Sequence, residues 1–241
     1  MEILDRLMKK CQHEYEIKTD EGDEVYFKHF TCRKCGFNFV KKFQKEEISY
    51  PELEGFKRYL NKPFQKTFLN EDVIKASTDV VKQFLKKGKT RGLVFHDKRG
   101  TGKTHLAVKI LQLFKRKFKK KIYAVNFSSL VFDRVREINL AKSGYYNPFN
   151  PPQSFEVENE ALSSEVLLLD EVGKGNNTAF VNGLLYTFVN EIYMEEHKFL
   201  IITTNLSPEQ MSKELDDAVV SRLYEICEFV SFNHIEDYRK L

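Results

Sequence analysis

The residues best suited to chemistry lie in a glycine-containing turn between a short apolar segment, residues 93–95, and a helix that begins near residue 103. In a phosphate-binding loop of this layout, backbone N–H groups and a helix N-terminus surround the phosphates of a nucleotide. We predict that Lys103 reaches the β- and γ-phosphates and that the Thr104 hydroxyl ligates Mg²⁺. The residues predicted to bind the nucleotide are Gly100, Thr101, Gly102, Lys103, Thr104 and His105.

One position departs from the usual loop pattern, because Asp97 stands where the first glycine is expected. An acid beside a triphosphate puts tight binding or rapid turnover in doubt. The donors from Gly100 to Thr104 are intact, so nucleotide binding itself is still expected.

A second motif turns the interpretation from nucleotide binding to hydrolysis. Residues 166–169 form an apolar run that ends in Asp170 and Glu171, as expected of a buried parallel strand that delivers carboxylates to the edge of a sheet. We predict that Asp170 holds Mg²⁺ and that Glu171 orients and activates the attacking water. Asn205 ends a further apolar strand, residues 199–204, and is expected to touch the γ-phosphate or the water.

Four residues near the start of the chain are spaced like the ligands of a structural zinc ion. They occur as two pairs joined by a predicted hairpin, which would close a tetrahedral site in a small zinc ribbon: Cys11, His13, Cys32 and Cys35. So short a segment cannot bury enough surface to fold unaided, so the metal would supply folding energy. A surface loop with free thiols, a redox pair, and His29 as a substitute ligand remain alternatives.

Length and composition restrict the class of protein. The chain has 241 residues, 41% hydrophobic and 31% charged, which suits one α/β domain with a small appendage. A net charge of +4 permits contact with nucleic acid without demanding it. No apolar run approaches the length of a membrane span, and the first residues are too charged for a signal peptide. We therefore expect a cytoplasmic protein that does not engage a membrane, in which cysteines bind metal rather than form disulfides.

The chain is expected to contain a partner-binding zinc module at 1–45, a linker with a short helix at 46–66, and an ATPase domain at 67–241. Ser128 or Ser129 is expected to cap a helix that reaches residue 141. The basic block at 114–121 fits either a solvated helix end or a nucleic-acid contact. The loop at 142–152, with Arg134 and Arg136 nearby, fits either a single-strand-binding loop or a packed cover for the core.

Several motifs in order resemble the DnaC/DnaI-type AAA+ helicase loaders and the related IstB-type transposition helper ATPases. They lie at residues 100–107, 167–173, 202–207, 227–232 and 237–239. The resemblance implies a P-loop AAA+ three-layer sandwich with a parallel five-stranded sheet and no full lid domain. It also implies an additional helix within 129–161, and makes Asn205 sensor 1, Arg222 the arginine finger and Arg239 sensor 2.

By this resemblance, the protein is expected to be an ATP-dependent loader that recruits or remodels a hexameric replicative helicase on single-stranded DNA. The N-terminal zinc module would engage the helicase, and the ATPase domains would assemble with one another. Two alternatives remain: a transposition helper ATPase, and an ATP-sensing adaptor with little hydrolysis.

Overall fold

The computed structural model describes residues 14–21, 25–36, 38–44, 49–60, 71–144, 153–175 and 178–235. The chain divides into two compact units, Met1–Ser49 and Tyr50–Leu241. Three predicted functional residues lie outside the described residues, namely Cys11, His13 and Arg239, as does most of the loop at 142–152. Among the described helices, none is long and apolar enough to cross a membrane.

The N-terminal unit contains an antiparallel sheet of three strands: β1 (Tyr15–Glu21), β2 (Val25–Cys32) and β3 (Asn38–Gln44). The hairpin expected between the two ligand pairs is therefore present. Tyr15 lies opposite Cys32, and Ile17 lies opposite Phe30. Since cross-strand neighbours share a face, aromatic rings gather on one side of the sheet, with Phe30 stacked on Phe39 at 4.7 Å between ring centroids.

The second unit opens with a short helical segment rather than a free linker. A 3₁₀ helix spans Pro51–Phe56 and is followed directly by α1 (Lys57–Leu60). Leu53 is fully buried and Phe56 is 5% exposed, and both belong to the core of the second unit. The helix expected at residues 52–60 thus exists and is anchored by its apolar side chains.

The main sheet has five strands in the order β5-β6-β7-β4-β8. All of its neighbouring strands run parallel, which matches the predicted sheet. The strands are β4 (Gly92–His96), β5 (Ile122–Asn126), β6 (Val166–Val172), β7 (Phe199–Thr204) and β8 (Cys227–Ser231). Because they are parallel, their carboxyl ends meet at one edge, where the predicted catalytic residues lie after β4 and β7 and in the last residues of β6.

Helices cover both faces of this sheet. They are α2 (Glu71–Leu85), α3 (Lys103–Phe118), α4 (Phe127–Lys142), α5 (Gln153–Leu162), α6 (Ala179–Met194), α7 (Pro208–Glu214) and α8 (Asp217–Ile226). Alternate strand residues enter two separate cores: Leu93 and Phe95 pack with α2 and α3, whereas Val94 packs with α4, α6 and α8. The result is the predicted three-layer α/β architecture.

Two features of the C-terminal half were not foreseen. Helices α7 and α8 occupy residues that the sequence analysis left unassigned, although Ser207 and Asp216 supply side-chain caps at their starts. The guanidinium of Arg91 also closes the C-terminal end of α6, donating to the carbonyls of Ile192 at 2.8 Å and Tyr193 at 3.0 Å. A cation bound to the last carbonyls stabilises a helix end.

Candidate nucleotide site

The loop between β4 and α3 has the backbone conformation that a phosphate-binding turn requires. Gly100 and Gly102 adopt positive φ angles of 76° and 90°, a region that favours glycine. Gly102 is the N-cap of α3 and makes no side-chain capping bond, whereas α4, α6, α7 and α8 each begin with a side-chain cap. The first N–H groups of α3 are thus left to an anionic ligand.

Lys103 is 7% exposed, and its ammonium is held by the loop itself. Its Nζ donates to the carbonyl oxygen of Asp97 at 2.6 Å and to that of Lys98, and it lies 3.3 Å from Oδ1 of Asn205. Burial lowers the pKa of Lys103 to about 8, although the charges of Asp97 and Asp170 oppose the shift. Lys103 and Asn205, assigned separately from the sequence, therefore meet in one place.

Asp97 takes a structural part that the sequence did not suggest. Its φ angle is +78°, in the left-handed region that a glycine would occupy without strain. Its Oδ2 accepts a hydrogen bond from the Ser231 hydroxyl at 2.6 Å and lies 2.8 Å from Nδ1 of His96. The carboxylate thus ties the phosphate-binding loop to the end of β8.

The predicted magnesium ligands are adjacent. The Thr104 hydroxyl donates to Oδ1 of Asp170 at 2.7 Å, and the Thr203 hydroxyl donates to the same oxygen at 2.5 Å. Burial raises the pKa of Asp170, and these two hydrogen bonds oppose the increase. A hydroxyl and a carboxylate oxygen at this spacing are suitable donors for a hard cation such as Mg²⁺.

Glu171 sits at an irregularity in β6, where the register with β7 shifts between Leu169 and Val172. Its φ angle is +61°, and its backbone N–H donates to the Thr203 hydroxyl at 3.0 Å. Its Oε2 accepts from Lys174 at 2.9 Å and from Asn126 at 3.2 Å. Burial alone would raise the pKa of Glu171, but these bonds outweigh it, so the pKa is lowered and the ionised carboxylate is favoured.

The fold of the second unit is similar to that of solved structures. The chain matches the DnaC helicase loader at 26% sequence identity, covering 75% of this chain and 99% of that chain, with a TM-score of 0.56. A DnaI structure matches at 19% identity over 73% and 93% of the two chains, with a TM-score of 0.52. The chain has the fold of the DnaC/DnaI-type AAA+ helicase loaders.

A structure of DnaA is also similar in fold to this chain. AMPPCP-bound DnaA from Aquifex aeolicus matches at 18% identity with a TM-score of 0.52, and the aligned part covers 74% of this chain and 54% of that one. No protein-family profile matches the sequence, and no curated protein matches it significantly. The chain therefore shares its fold with a helicase loader and with DnaA.

The remaining predicted residues of the loader fold are dispersed. His105 follows Thr104 on α3, and its ring stacks on Tyr59 with 6.0 Å between centroids. Arg222 lies on α8, where its guanidinium donates to the Tyr186 hydroxyl at 3.2 Å and lies over the Tyr186 ring at 4.8 Å. Its contacts are therefore with α6 and its own helix rather than with the phosphate-binding loop.

Asn126 was missed by the sequence analysis, which expected Ser128 or Ser129 to cap α4. That expectation is wrong, because Asn126 Oδ1 accepts from the backbone N–H of Ser129 at 3.0 Å. The Ser128 hydroxyl instead donates to the carbonyl of Glu171 at 3.0 Å. One Asn126 side chain thus begins α4 with its oxygen and holds the Glu171 carboxylate with its nitrogen. The available signal was a polar residue ending a strand, as at Asn205.

Many of the basic residues considered for nucleic-acid contact pair within the chain. Lys115 lies 2.6 Å from Glu52, and Lys120 lies 2.7 Å from Glu165. Arg134 stacks on Phe155 with its guanidinium carbon 3.7 Å from the ring centroid. These contacts favour the structural interpretation for those three side chains.

Two of the four predicted zinc ligands, Cys32 and Cys35, lie among the described residues. Cys32 ends β2 and is buried, Cys35 is exposed, and Gly36 donates from its N–H to the Cys32 carbonyl at 2.9 Å with a φ of +72°. Within the described residues, no three His, Cys, Asp or Glu side chains cluster as metal ligands. His29 lies three residues before Cys32 on β2, so the two side chains point to opposite faces, which argues against the substitute ligand.

Proposed function

We propose that this protein is an ATP-dependent factor that recruits or remodels a hexameric replicative helicase on single-stranded DNA. The observation that carries the proposal is the contact of Thr104 with Asp170, beside Lys103 and Glu171, in a fold similar to a helicase loader. Thr104 and Asp170 would hold Mg²⁺, and Lys103 would bind the phosphates as a point charge. Glu171 would then take a proton from the attacking water.

The proposed chemistry predicts different effects for two substitutions. Lys103→Ala should abolish ATP binding, because the lysine contacts phosphates in the ground state. Glu171→Gln should retain binding and lose hydrolysis, because the carboxylate acts on the water. Equilibrium nucleotide binding and steady-state phosphate release test both, with single-stranded DNA and the helicase present. Equal loss of binding in the two variants would contradict these roles.

The contacts of Glu171 also favour a second candidate, the ATP-sensing adaptor with little hydrolysis. Lys174 and Asn126 both occupy one oxygen of this carboxylate, which limits its freedom to meet a water. Phosphate release by the wild-type chain that stays near background with helicase and DNA present, despite tight ATP binding, would select the adaptor.

For the N-terminal unit, we propose a zinc ion bound by Cys11, His13, Cys32 and Cys35. The register of the sheet supports this set, because Glu14, the residue after His13, accepts from the N–H of Arg33 at 2.9 Å. Glu14, the residue that precedes β1, is thereby held against the Cys32–Cys35 turn. A capture assay tests which partner this unit binds. The full-length chain and its Cys35→Ser variant are each used to capture purified helicase and purified transposase. Capture of transposase alone would favour the transposition helper.

We also propose that Arg222 acts on the nucleotide of a neighbouring subunit, since its contacts lie away from its own loop. Such an arginine stabilises charge on the transferring phosphoryl group and contributes roughly 10³–10⁵ in rate. Lys103→Ala and Arg222→Ala chains should each be inactive alone but recover part of the activity when mixed, because one supplies a loop and the other an arginine. Absence of recovery despite co-assembly would contradict a role between subunits.

A further inference from the structure

The segment at residues 50–60 runs alongside α3 in the opposite direction. Lys115, near the end of α3, pairs with Glu52 at 2.6 Å. Lys109, nearer its start, donates to the carbonyl of Leu60 at 3.0 Å. Because an α-helix rises about 1.5 Å per residue, the segment advances toward the phosphate-binding end of α3 as it passes from Glu52 to Leu60.

Tyr59 reaches the first turn of α3. Its ring lies 6.0 Å from the ring of His105, with the two planes 30° apart. His105 directly follows Thr104, whose hydroxyl contacts Asp170. The guanidinium of Arg58 in turn lies 4.6 Å from the centroid of the Tyr59 ring and donates to its hydroxyl. Tyr59 therefore positions Arg58 beside the site.

The charge of Arg58 acts on both catalytic carboxylates. Burial raises the pKa of Asp170, and the Arg58 charge is among the influences that oppose the increase. At Glu171 the Arg58 charge adds to the hydrogen bonds that overcome burial and lower the pKa. Arg58 is exposed, and no carboxylate within the described ranges forms an ion pair with it. The exposed Arg58 guanidinium is therefore accessible to an anionic ligand.

We propose that Arg58 is a further nucleotide-binding residue, whose guanidinium donates to the terminal phosphate of a bound nucleoside triphosphate. This inference rests on the proposed ATP site. A triphosphate brings negative charge close to Asp170 and Glu171, which opposes binding. A guanidinium offers several donors in a planar fork that matches phosphate oxygens, and its charge offsets the repulsion. A diphosphate lacks the terminal group, so Arg58 favours ATP over ADP.

The test compares affinities for AMPPCP and for ADP, each with Mg²⁺, in the full-length chain. Arg58→Ala should weaken AMPPCP binding by about 10- to 100-fold, the range for one hydrogen bond to a charged group, and leave ADP binding nearly unchanged. Arg58→Lys should recover part of the loss. Tyr59→Phe, which removes only the hydroxyl that holds the guanidinium, should give a smaller loss in the same direction.

Lys57→Ala is the matched control, because it removes an equal charge from the neighbouring residue. The Lys57 ammonium pairs with Glu54 at 2.7 Å, so this variant should bind both nucleotides like wild type. Two outcomes would overturn the role of Arg58 and leave the proposed ATP site standing. One is equal weakening of AMPPCP and ADP binding by Arg58→Ala, and the other is an effect of Lys57→Ala as large as that of Arg58→Ala. A wild-type chain that binds neither nucleotide would refute the proposed ATP site, and Arg58 with it.

Discussion

The main sheet and the N-terminal sheet differ in how much of their strands is buried. Strand β7 is buried along all six of its residues, and the two cores continue on either side of it. In the N-terminal sheet, Ile17, Phe39 and Val40 are 53%, 38% and 55% exposed. Because burial of apolar surface contributes about 25 cal/mol per Å², the second unit has a large source of folding free energy that the N-terminal sheet lacks.

This difference indicates that the N-terminal sheet belongs to the less stable of the two units. Within the described part of the N-terminal unit, Cys32 is the hydrophobic side chain that is almost fully buried, at 1% exposure. A sheet of three strands with a single aromatic cluster buries little apolar surface, so its stability is expected to be marginal. A metal held at the Cys32–Cys35 turn would add the energy that burial does not. The two units should therefore respond to different perturbations.

Removal of the metal should produce the largest effect, and only in the N-terminal unit. Cys35→Ser should abolish near-stoichiometric zinc and the protection of β1–β3 amides against hydrogen exchange, while ATP affinity remains unchanged. Cys227→Ser, in the other unit, serves as the control and should retain the zinc. A chain that keeps protected strands after its zinc is lost by elemental analysis would contradict the comparison.

Removal of a buried ring should produce the converse result. Phe114 is fully buried and its ring packs against Phe84 and Phe199 at 6.0 and 5.2 Å between centroids. Phe114→Ala should lower the free energy of unfolding of the second unit by about 3–5 kcal/mol, as measured by denaturant titration. Any zinc content should be unchanged. Phe118, one turn later and 37% exposed, is the control, and Phe118→Ala should cost far less. Equal losses would show that α3 contributes little to the core.

The Asp97–Ser231 contact should contribute a smaller, measurable coupling. Asp97→Gly adopts the positive φ without strain and removes the acceptor carboxylate, and Ser231→Ala removes the donor. In a double-mutant cycle, the two changes should be non-additive by about 1 kcal/mol in unfolding free energy, because each breaks the same hydrogen bond. Additive losses would mean that the 2.6 Å contact does not stabilise the loop.

The smallest expected effect is the failure of a reagent to modify Cys227. Burial raises the pKa of this thiol to about 12, so almost no thiolate exists at pH 9. Iodoacetamide should therefore leave Cys227 unmodified in the folded chain, while the exposed Cys35 reacts once zinc is removed. Peptide mass spectrometry locates the label. Labelling of Cys227 before denaturation would show that the core of the second unit opens enough to expose this thiol.

The sequence predicted those features that depend on local pattern. Apolar runs ending in polar residues gave β6 and β7 within one or two residues, and the spacing of Gly100, Gly102 and Lys103 gave the loop and the start of α3. A glycine or a buried strand carries its own signal in the residue type. The parallel five-stranded sheet was expected from the resemblance to the helicase loaders, and the alternation of its strands with helices is typical of such a sheet.

Features that depend on long-range register were not predictable in this way. The contact of Asn126 with Glu171 requires β5 and β6 to be adjacent with Asn126 opposite Asp170. Arg58 comes near the first turn of α3 only because residues 50–60 run antiparallel to that helix, and no local pattern encodes that path. Helices α7 and α8 are short, and their capping residues were overlooked.

The left-handed backbone at Glu171 has a consequence for how this site can change by mutation. A non-glycine residue at a φ of +61° carries roughly 1–3 kcal/mol of strain. Glu171→Gly would release that strain and also remove a negative charge beside Asp170, so the folded chain would gain stability as it lost its base. Selection for stability alone would therefore erode catalysis at this position.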